Sequence, residues 1–277
     1  MTGFSSVTTN LPALVQNEGW EIAINSTNIK SNKLKWTSAA NFTTSRNKLL
    51  DFPNLNINTS YRNRLVVGEP ITLQKVFRYA GISPSSGLYQ FYDSKGNVTP
   101  SPNNIADRIV YINTAPTFYG GIQNGLDFKN FRLDVFFQFV KTLGRNYLFN
   151  GAYAPGRFDA NTGIGNQPTT ILDRWQKPGD MSPFQMFSPS ASATYDLAKT
   201  SDVAYSDASF VRLKNISLSY LAPASWLRSL RLSTLRIYTQ AQNLFTITRY
   251  KGADPENQSM TSLPPLRVIT AGIQLSF

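Results

Sequence analysis

The sequence contains no cysteine and no histidine. The first absence excludes disulfides and thiol chemistry. The second removes the commonest metal ligand and general base, and with it any Ser-His or Cys-His machinery. Charge is also scarce, at 16% of residues against about 25% in an average soluble domain. No stretch approaches the roughly 18 consecutive apolar residues of a transmembrane helix. A membrane-spanning form of this chain therefore has to be a closed barrel, the other architecture that pairs every backbone group in lipid. Met1-Thr-Gly-Phe-Ser-Ser has neither the basic start nor the apolar core of a secretory signal.

What is present points to a β protein with an unusual surface. Apolar residues make up 41% and aromatics 13% of the 277 positions, beside abundant Ser, Thr and Asn. Few charges with many rings fit a surface shown to lipid. The net charge is +11, which in a soluble protein would suggest nucleic acid. Here the basic residues are scattered without a cluster, so no nucleic-acid partner is expected.

The strongest local signal is at the end of the chain. Phe277, Leu275, Ile273, Ala271 and Ile269 form an apolar row at every second position, and Ser276, Gln274, Gly272 and Thr270 lie between them. A period of two makes a strand with one apolar and one polar face, and about 10 residues cross a bilayer when tilted. A terminal Phe suits the aromatic girdle of a membrane barrel. An ordinary sandwich strand shows the same alternation, and this stretch alone does not separate the two.

The pattern recurs upstream. Residues 1–19 read as loop. Trp20, Ile22 and Ile24 open a hairpin whose second strand presents Leu34, Trp36, Ala40 and Phe42. Residues 118–128 alternate, and after a turn at Lys129-Asn130 so do Phe131, Leu133, Val135, Phe137 and Phe139. Three more strands are expected over Phe210–Leu221, Leu235–Thr248 and the terminus. In the first of these the apolar set changes sides between Leu213 and Ile216, which calls for a bulge near Asn215. Residues 47–116 are irregular, with strand signals over 66–81 and 87–93. Residues 141–209 read as a long insertion rich in Gly, Asn, Pro and Ser, a length usually functional. Short connections (after Asn28, Phe128 and Leu221) alternate with long ones (after Arg46, Lys141 and Thr248), as the periplasmic turns and extracellular loops of outer-membrane barrels do. Seven strands is an odd number, whereas a whole bacterial single-chain barrel has an even one.

At this point the sequence resembles a family. Phe210-Val-Arg-Leu-Lys-Asn-Ile-Ser-Leu-Ser-Tyr220, Pro223-Ala-Ser-Trp226, Gln242-Asn-Leu-Phe-Thr246 and Tyr250-Lys-Gly-Ala-Asp-Pro-Glu256 are similar to the C-terminus of SusC/RagA-type TonB-dependent outer-membrane receptors of Bacteroidetes. Asn17-Glu-Gly-Trp-Glu21, Gly87-Leu-Tyr-Gln-Phe-Tyr92, Gly120-Gly-Ile-Gln-Asn124 and Arg174-Trp-Gln-Lys-Pro-Gly-Asp180 extend the resemblance over nearly the whole chain. Ala253 stands where that family often has an aromatic. The resemblance implies an all-β fold, part of an antiparallel transmembrane β-barrel with long extracellular loops, located in the cell outer membrane of a Gram-negative, Bacteroidetes-like bacterium. It also implies import of a glycan, oligosaccharide or peptide by the full-length receptor, with TonB and a SusD-like lipoprotein as partners and outer-membrane lipid as surroundings. Residues 1–277 are then expected to be one partial barrel without plug or signal, beginning on the extracellular side and not competent alone. A secreted, soluble β-sandwich that binds carbohydrate is the alternative.

Candidate sites are few, and neither a cofactor nor an enzymatic activity is expected. Ile269, Ile273, Leu275 and Phe277 are expected to face lipid, and the resemblance adds a role as the signal read by the barrel-assembly machinery. Tyr147, Tyr153, Phe158, Trp175 and Phe184 in the long insertion are candidate ligand or lid contacts, against the simpler reading that they pack the loop on itself. Asp159-Ala-Asn-Thr-Gly163 has the wrong Gly spacing for a calcium loop, and Thr170 stands where its closing Glu belongs, so no metal is expected. Gly163-Ile-Gly165 lacks the strand-then-helix frame of a phosphate loop. Asp173, Asp180, Asp254 and Glu256 read as solvated loop carboxylates.

Overall fold

The computed structural model describes residues 10–150, 155–157, 167–189, 192–259 and 262–277. Strands β1 (Leu14–Lys30) and β2 (Leu34–Asp51) form a long hairpin. The next connection holds β3 (Leu73–Val76), β4 (Arg78–Ile82), β5 (Tyr89–Tyr92), β6 (Val98–Thr99) and β7 (Val110–Asn113). A tight turn joins β8 (Phe118–Phe128) to β9 (Phe131–Lys141). The second long connection carries β10 (Leu143–Arg145), α1 (Tyr147–Asn150), α2 (Ala193–Lys199) and β11 (Tyr205–Asp207). After β12 (Phe210–Leu221) come α3 (Ala224–Leu230), β13 (Thr234–Gln242), β14 (Thr246–Thr248) and β15 (Val268–Ser276).

One antiparallel sheet organises the chain, in the order β1-β2-β8-β9-β12-β13-β15, with β14 continuing β13's partnership along β12. The registers place every expected apolar row on one face. Ile22 pairs Phe42, Phe42 pairs Gly120, Gly120 pairs Phe139, and Phe139 pairs Val211. Further along, Leu126 pairs Leu133 and Leu133 pairs Leu218, while Ile237 pairs Ile273. Because directly paired residues share a face, these rows merge into one apolar surface. Its reverse carries Glu21, Thr37, Gln123, Arg132, Asp134, Ser217, Gln240 and Gln274. An 11-residue strand such as β9 extends about 36 Å, and a tilt of ~45° brings its height to about 25 Å, that of the apolar band of a membrane barrel.

The bulge between the two halves of β12 is present. Leu213 pairs Phe137 and Asn215 pairs Phe136, which leaves Lys214 as the extra residue. The extra residue puts Leu213 and Ile216 on the same face. Opposite it the expected Leu235–Thr248 strand breaks into β13 and β14 at residues 243–245, where Asn243 takes a positive φ of 52° and its N–H bonds the Lys214 carbonyl.

Three expectations need correction. Strand β1 starts at Leu14, so part of the expected N-terminal loop is strand; Val15 to Gly19 pair β2 and give the hairpin its reach. The strand signal over 66–81 is realised only from Leu73, because Pro70 and the turn around Gly68 interrupt the backbone pairing. The 141–209 insertion is not structureless: its described residues carry two helices, two short strands and 3₁₀ turns over Thr169–Asp173 and Asp202–Ala204. It folds with the first long connection. Phe77, Tyr89 and Phe91 of the first bury themselves against Phe149, Tyr195, Ala198 and Ala204 of the second, and the backbone of Phe77 bonds Thr200 and Asp202. The chain's main buried core thus lies in the loops, while the sheet leaves its apolar face bare.

Candidate functional site

The bare apolar face is the first candidate. On β15, Ile269 is 69% and Ile273 67% exposed, Leu275 is exposed as well, and the terminal Phe277 is 91% exposed. Trp20, at 76%, and Ile24, at 60%, repeat the pattern on the opposite edge strand. A soluble sandwich covers such a face with a second sheet about 10 Å away. Among the described residues the other sheets are two- or three-stranded and belong to the connections. Each of these side chains gains about 1.5–3 kcal/mol by leaving water, so the face requires an apolar medium.

On the polar face a recess of about 360 Å³ is lined by Asn25, Thr27, Thr37, Gln123, Arg132 and Asp134. Arg132 bonds Asp134 through Nε at 2.8 Å and lies 3.6 Å from Asp127. Arg132, Asp134 and Asp127 are thus held together within the wall at this recess. Gly272 on β15 lies under the ring of Tyr238, and a Cβ there would stand 2.6 Å from the ring. The ring covers the backbone that the glycine leaves bare.

The second feature is a latch at the loop end of the sheet, and it corrects the reading of two carboxylates as solvated. Arg212 on β12 is 1% exposed. Its guanidinium donates to Asp254, to Glu256 and, at 2.8 Å, to Thr246 Oγ1. Lys214, the bulge residue, donates to Glu256 Oε1 at 2.8 Å. Asp254 also accepts the backbone N–H of Glu256 at 2.9 Å. Two cations at alternate strand positions thus meet two acids at the same spacing in the last loop. That matched spacing was the signal available in the sequence, and it went unused because the partners lie 42 residues apart. The same loop is tied to the second connection: the Tyr147 N–H bonds the Lys251 carbonyl at 2.7 Å, and the Asn150 amide bonds the Gln258 carbonyl at 2.7 Å. Asp173 is exposed, whereas Asp180 accepts the N–H groups of Gln176 and Lys177 at 3.0 Å.

The loop aromatics divide. Phe184 is buried at 8%, and its carbonyl accepts the Trp175 N–H. Trp175 lies across Gly87, whose φ is +69°, and its indole N–H donates to the Pro84 carbonyl at 2.9 Å. Trp175 thus fastens the second connection onto the first, while Phe184 is held within the second. Tyr147 is half-buried at the start of α1. Tyr153, Phe158 and the 159–163 segment lie outside the described residues. No group of His, Cys, Asp and Glu able to hold a metal occurs among the described residues.

Titration is perturbed in the loops for local reasons. The hydroxyl and N–H of Ser209, with help from Lys141, hold the Asp207 carboxyl down at about 2. Burial in the loop core pushes the Tyr79 and Tyr195 phenols up to about 12, and the Tyr89 phenol is raised as well.

No family model matches the chain. It is 29% identical over 318 residues to TonB-dependent receptor P3 of Formosa agariphila and 26% identical over 313 residues to TonB-dependent receptor P26 of the same bacterium. Both alignments take in 100% of this chain. The chain is related to the TonB-dependent receptors. It spans 30% of the length of each of these two relatives. Its fold superimposes on the structure of the RagAB peptide transporter with a TM-score of 0.75 at 24% identity, covering 96% of this chain and 30% of that one. The closed-closed state of the RagAB peptide importer gives 0.76 at 24% identity. The fold is therefore that of a section of a TonB-dependent receptor barrel, an antiparallel transmembrane wall with long loops at one end.

Proposed function

We propose that residues 1–277 are one continuous section of wall and mouth in an outer-membrane TonB-dependent importer. The observation that carries this reading is the sheet's uncovered apolar face, matched to lipid in height and chemistry, with a polar reverse suited to a lumen. Ile269, Ile273, Leu275 and Phe277 contact lipid, and the same row serves as the strand recognised during barrel assembly. The polar face bounds the passage for a peptide or oligosaccharide. The joined loops shape the mouth, where Tyr147 and the segment holding Tyr153 and Phe158 meet either the substrate or a SusD-like lipoprotein lid. Trp175 and Phe184 act by holding that mouth in form.

Among the described residues β1 pairs only β2, and β15 pairs only β13. Both edges need further strands, since an open edge in lipid costs several kcal/mol per unpaired group. Transport coupled to TonB then belongs to the completed receptor. The reading is tested by expressing the chain with the remainder of its receptor and separating unheated and heated samples on gels. A heat-modifiable band that requires detergent supports it. A protein that stays monomeric in buffer without detergent contradicts it.

A further inference from the structure

The apolar face carries a built feature at its loop end that the wall role does not require. A groove of about 360 Å³ runs between β8–β9 and β12–β14. Its floor is Phe118, Phe139, Val211 and Ile247, all on the outward face. Two cations close it on that same face. Lys141 pairs directly with Phe118 in register, and Arg249 follows Ile247 by two positions. Arg46, four positions beyond Phe42 on β2, continues the row on the same face. Lys141 is bound to Asp207 at 3.0 Å. Arg249 and Arg46 are exposed, and neither has an ion pair among the described residues. The other acids nearby are Asp207 itself and Glu18, which stands opposite Arg46 in register.

We propose that this groove is a binding site for an acidic, phosphate-bearing membrane lipid, with the acyl chain on the aromatic floor and the phosphate between Lys141 and Arg249. The site rests on the lipid-facing reading of the wall and adds a headgroup to it. An uncharged lipid would be satisfied by the floor alone. Two cations stationed where the apolar rows stop, one of them without an internal partner, fit a lipid whose charge sits at that same boundary. Phosphate accepts charge-assisted hydrogen bonds from both ammonium and guanidinium. Attraction of this kind contributes about fivefold in affinity per cation at a membrane surface. Asp207 opposes the headgroup and sets how much of the Lys141 charge is available.

The test uses the chain expressed with the remainder of its receptor, purified in non-ionic detergent and mixed with micelles doped either with phosphatidic acid or with phosphatidylcholine of the same acyl length. Retained lipid is counted by native mass spectrometry, and affinity is read by titration. The expected result is preferential retention of phosphatidic acid. Arg249→Ala should weaken it about fivefold and Arg249→Lys much less, while Asp207→Asn should tighten it. Equal retention of the two lipids, or an unchanged affinity in Arg249→Ala, would overturn the proposal. So would displacement of the lipid by millimolar inorganic phosphate, since that marks a simple ion site. If the chain holds no lipid of either kind and stays dispersed without detergent, the wall reading itself fails; loss of headgroup preference alone leaves that reading standing.

Discussion

Replacing Arg212 by Met should release the last loop while leaving the wall intact. The guanidinium is fully enclosed, and the Asp254 side chain it binds is only 9% exposed. Met reproduces the side chain as far as Nε and fills the apolar part of the space, but Asp254 is left buried without its cation. Removing one partner of such a pair costs about 3–5 kcal/mol. Glu256 adds little to this figure, because it is a third exposed and keeps Lys214. If that cost falls on loop closure, the open population rises by about two to four powers of ten. Trypsin added to intact cells reads it as faster cleavage after Lys251, and hydrogen exchange reads it at the amides of Glu256 and Asn257 that Asp254 now holds. Arg212→Lys should lie between the two, since one ammonium cannot serve both acids. The double variant Arg212→Met, Asp254→Leu should recover much of the protection, because no charge is then left buried. Unchanged cleavage in Arg212→Met, or a double variant as open as the single one, would refute the latch.

Other expectations follow from the same geometry. Asp207 has a folded-state pKa below its unfolded value of about 3.9, so its contribution is present above that pH and is lost as pH falls towards about 2; hydrogen exchange at the Ser209 amide should rise over that window, and Asp207→Asn should remove the step. Tyr79 and Tyr195 are raised to about 12, so the loop core should be stable below about pH 10 and weaken as pH rises through 12; tyrosinate absorbance should show these phenols titrating late. Gly87→Ala should loosen the joined loops by about 1–3 kcal/mol, since φ is +69° and the new Cβ meets the Trp175 ring; a lower melting temperature by loop-reporting tryptophan fluorescence would check it. Ile273→Arg should destabilise the inserted barrel by about 2–4 kcal/mol if the residue sits near mid-membrane, whereas Gln274→Arg on the polar face should be tolerated; denaturant midpoints in detergent separate the two.

The wall was legible in the sequence because its physics is local. A period of two survives at every strand, and even the bulge could be placed, since Leu213 and Ile216 share a face only if one residue is added between them. The turn at 129–130 was equally plain. The loops were not legible. Their core joins Phe77 and Tyr89 to Tyr195 across more than 100 positions, and no periodicity records such a contact. The latch failed to show for the same reason, despite matching charges at matching spacing. The start of β1 was missed because Asn17, Glu18 and Gly19 are poor strand formers, and their pairing with β2 overrides that preference. Of the candidate site residues, the terminal row's strand alternation could be read directly, while the packing of Trp175 over Gly87 depends on a fold between two distant loops.

The most direct measurement exploits the absence of cysteine. Single cysteines placed in turn at positions 269 to 276 can carry a spin label whose collisions with an oxygen-like, lipid-soluble quencher and with a water-soluble one are compared in reconstituted bilayers. A lipid-facing wall gives a period of two: labels at Ile269, Ala271, Ile273 and Leu275 reached from the lipid, and labels at Thr270, Gly272, Gln274 and Ser276 reached from water. Water access at Ile273 and Leu275 equal to that at Gln274 would contradict the lipid-facing wall.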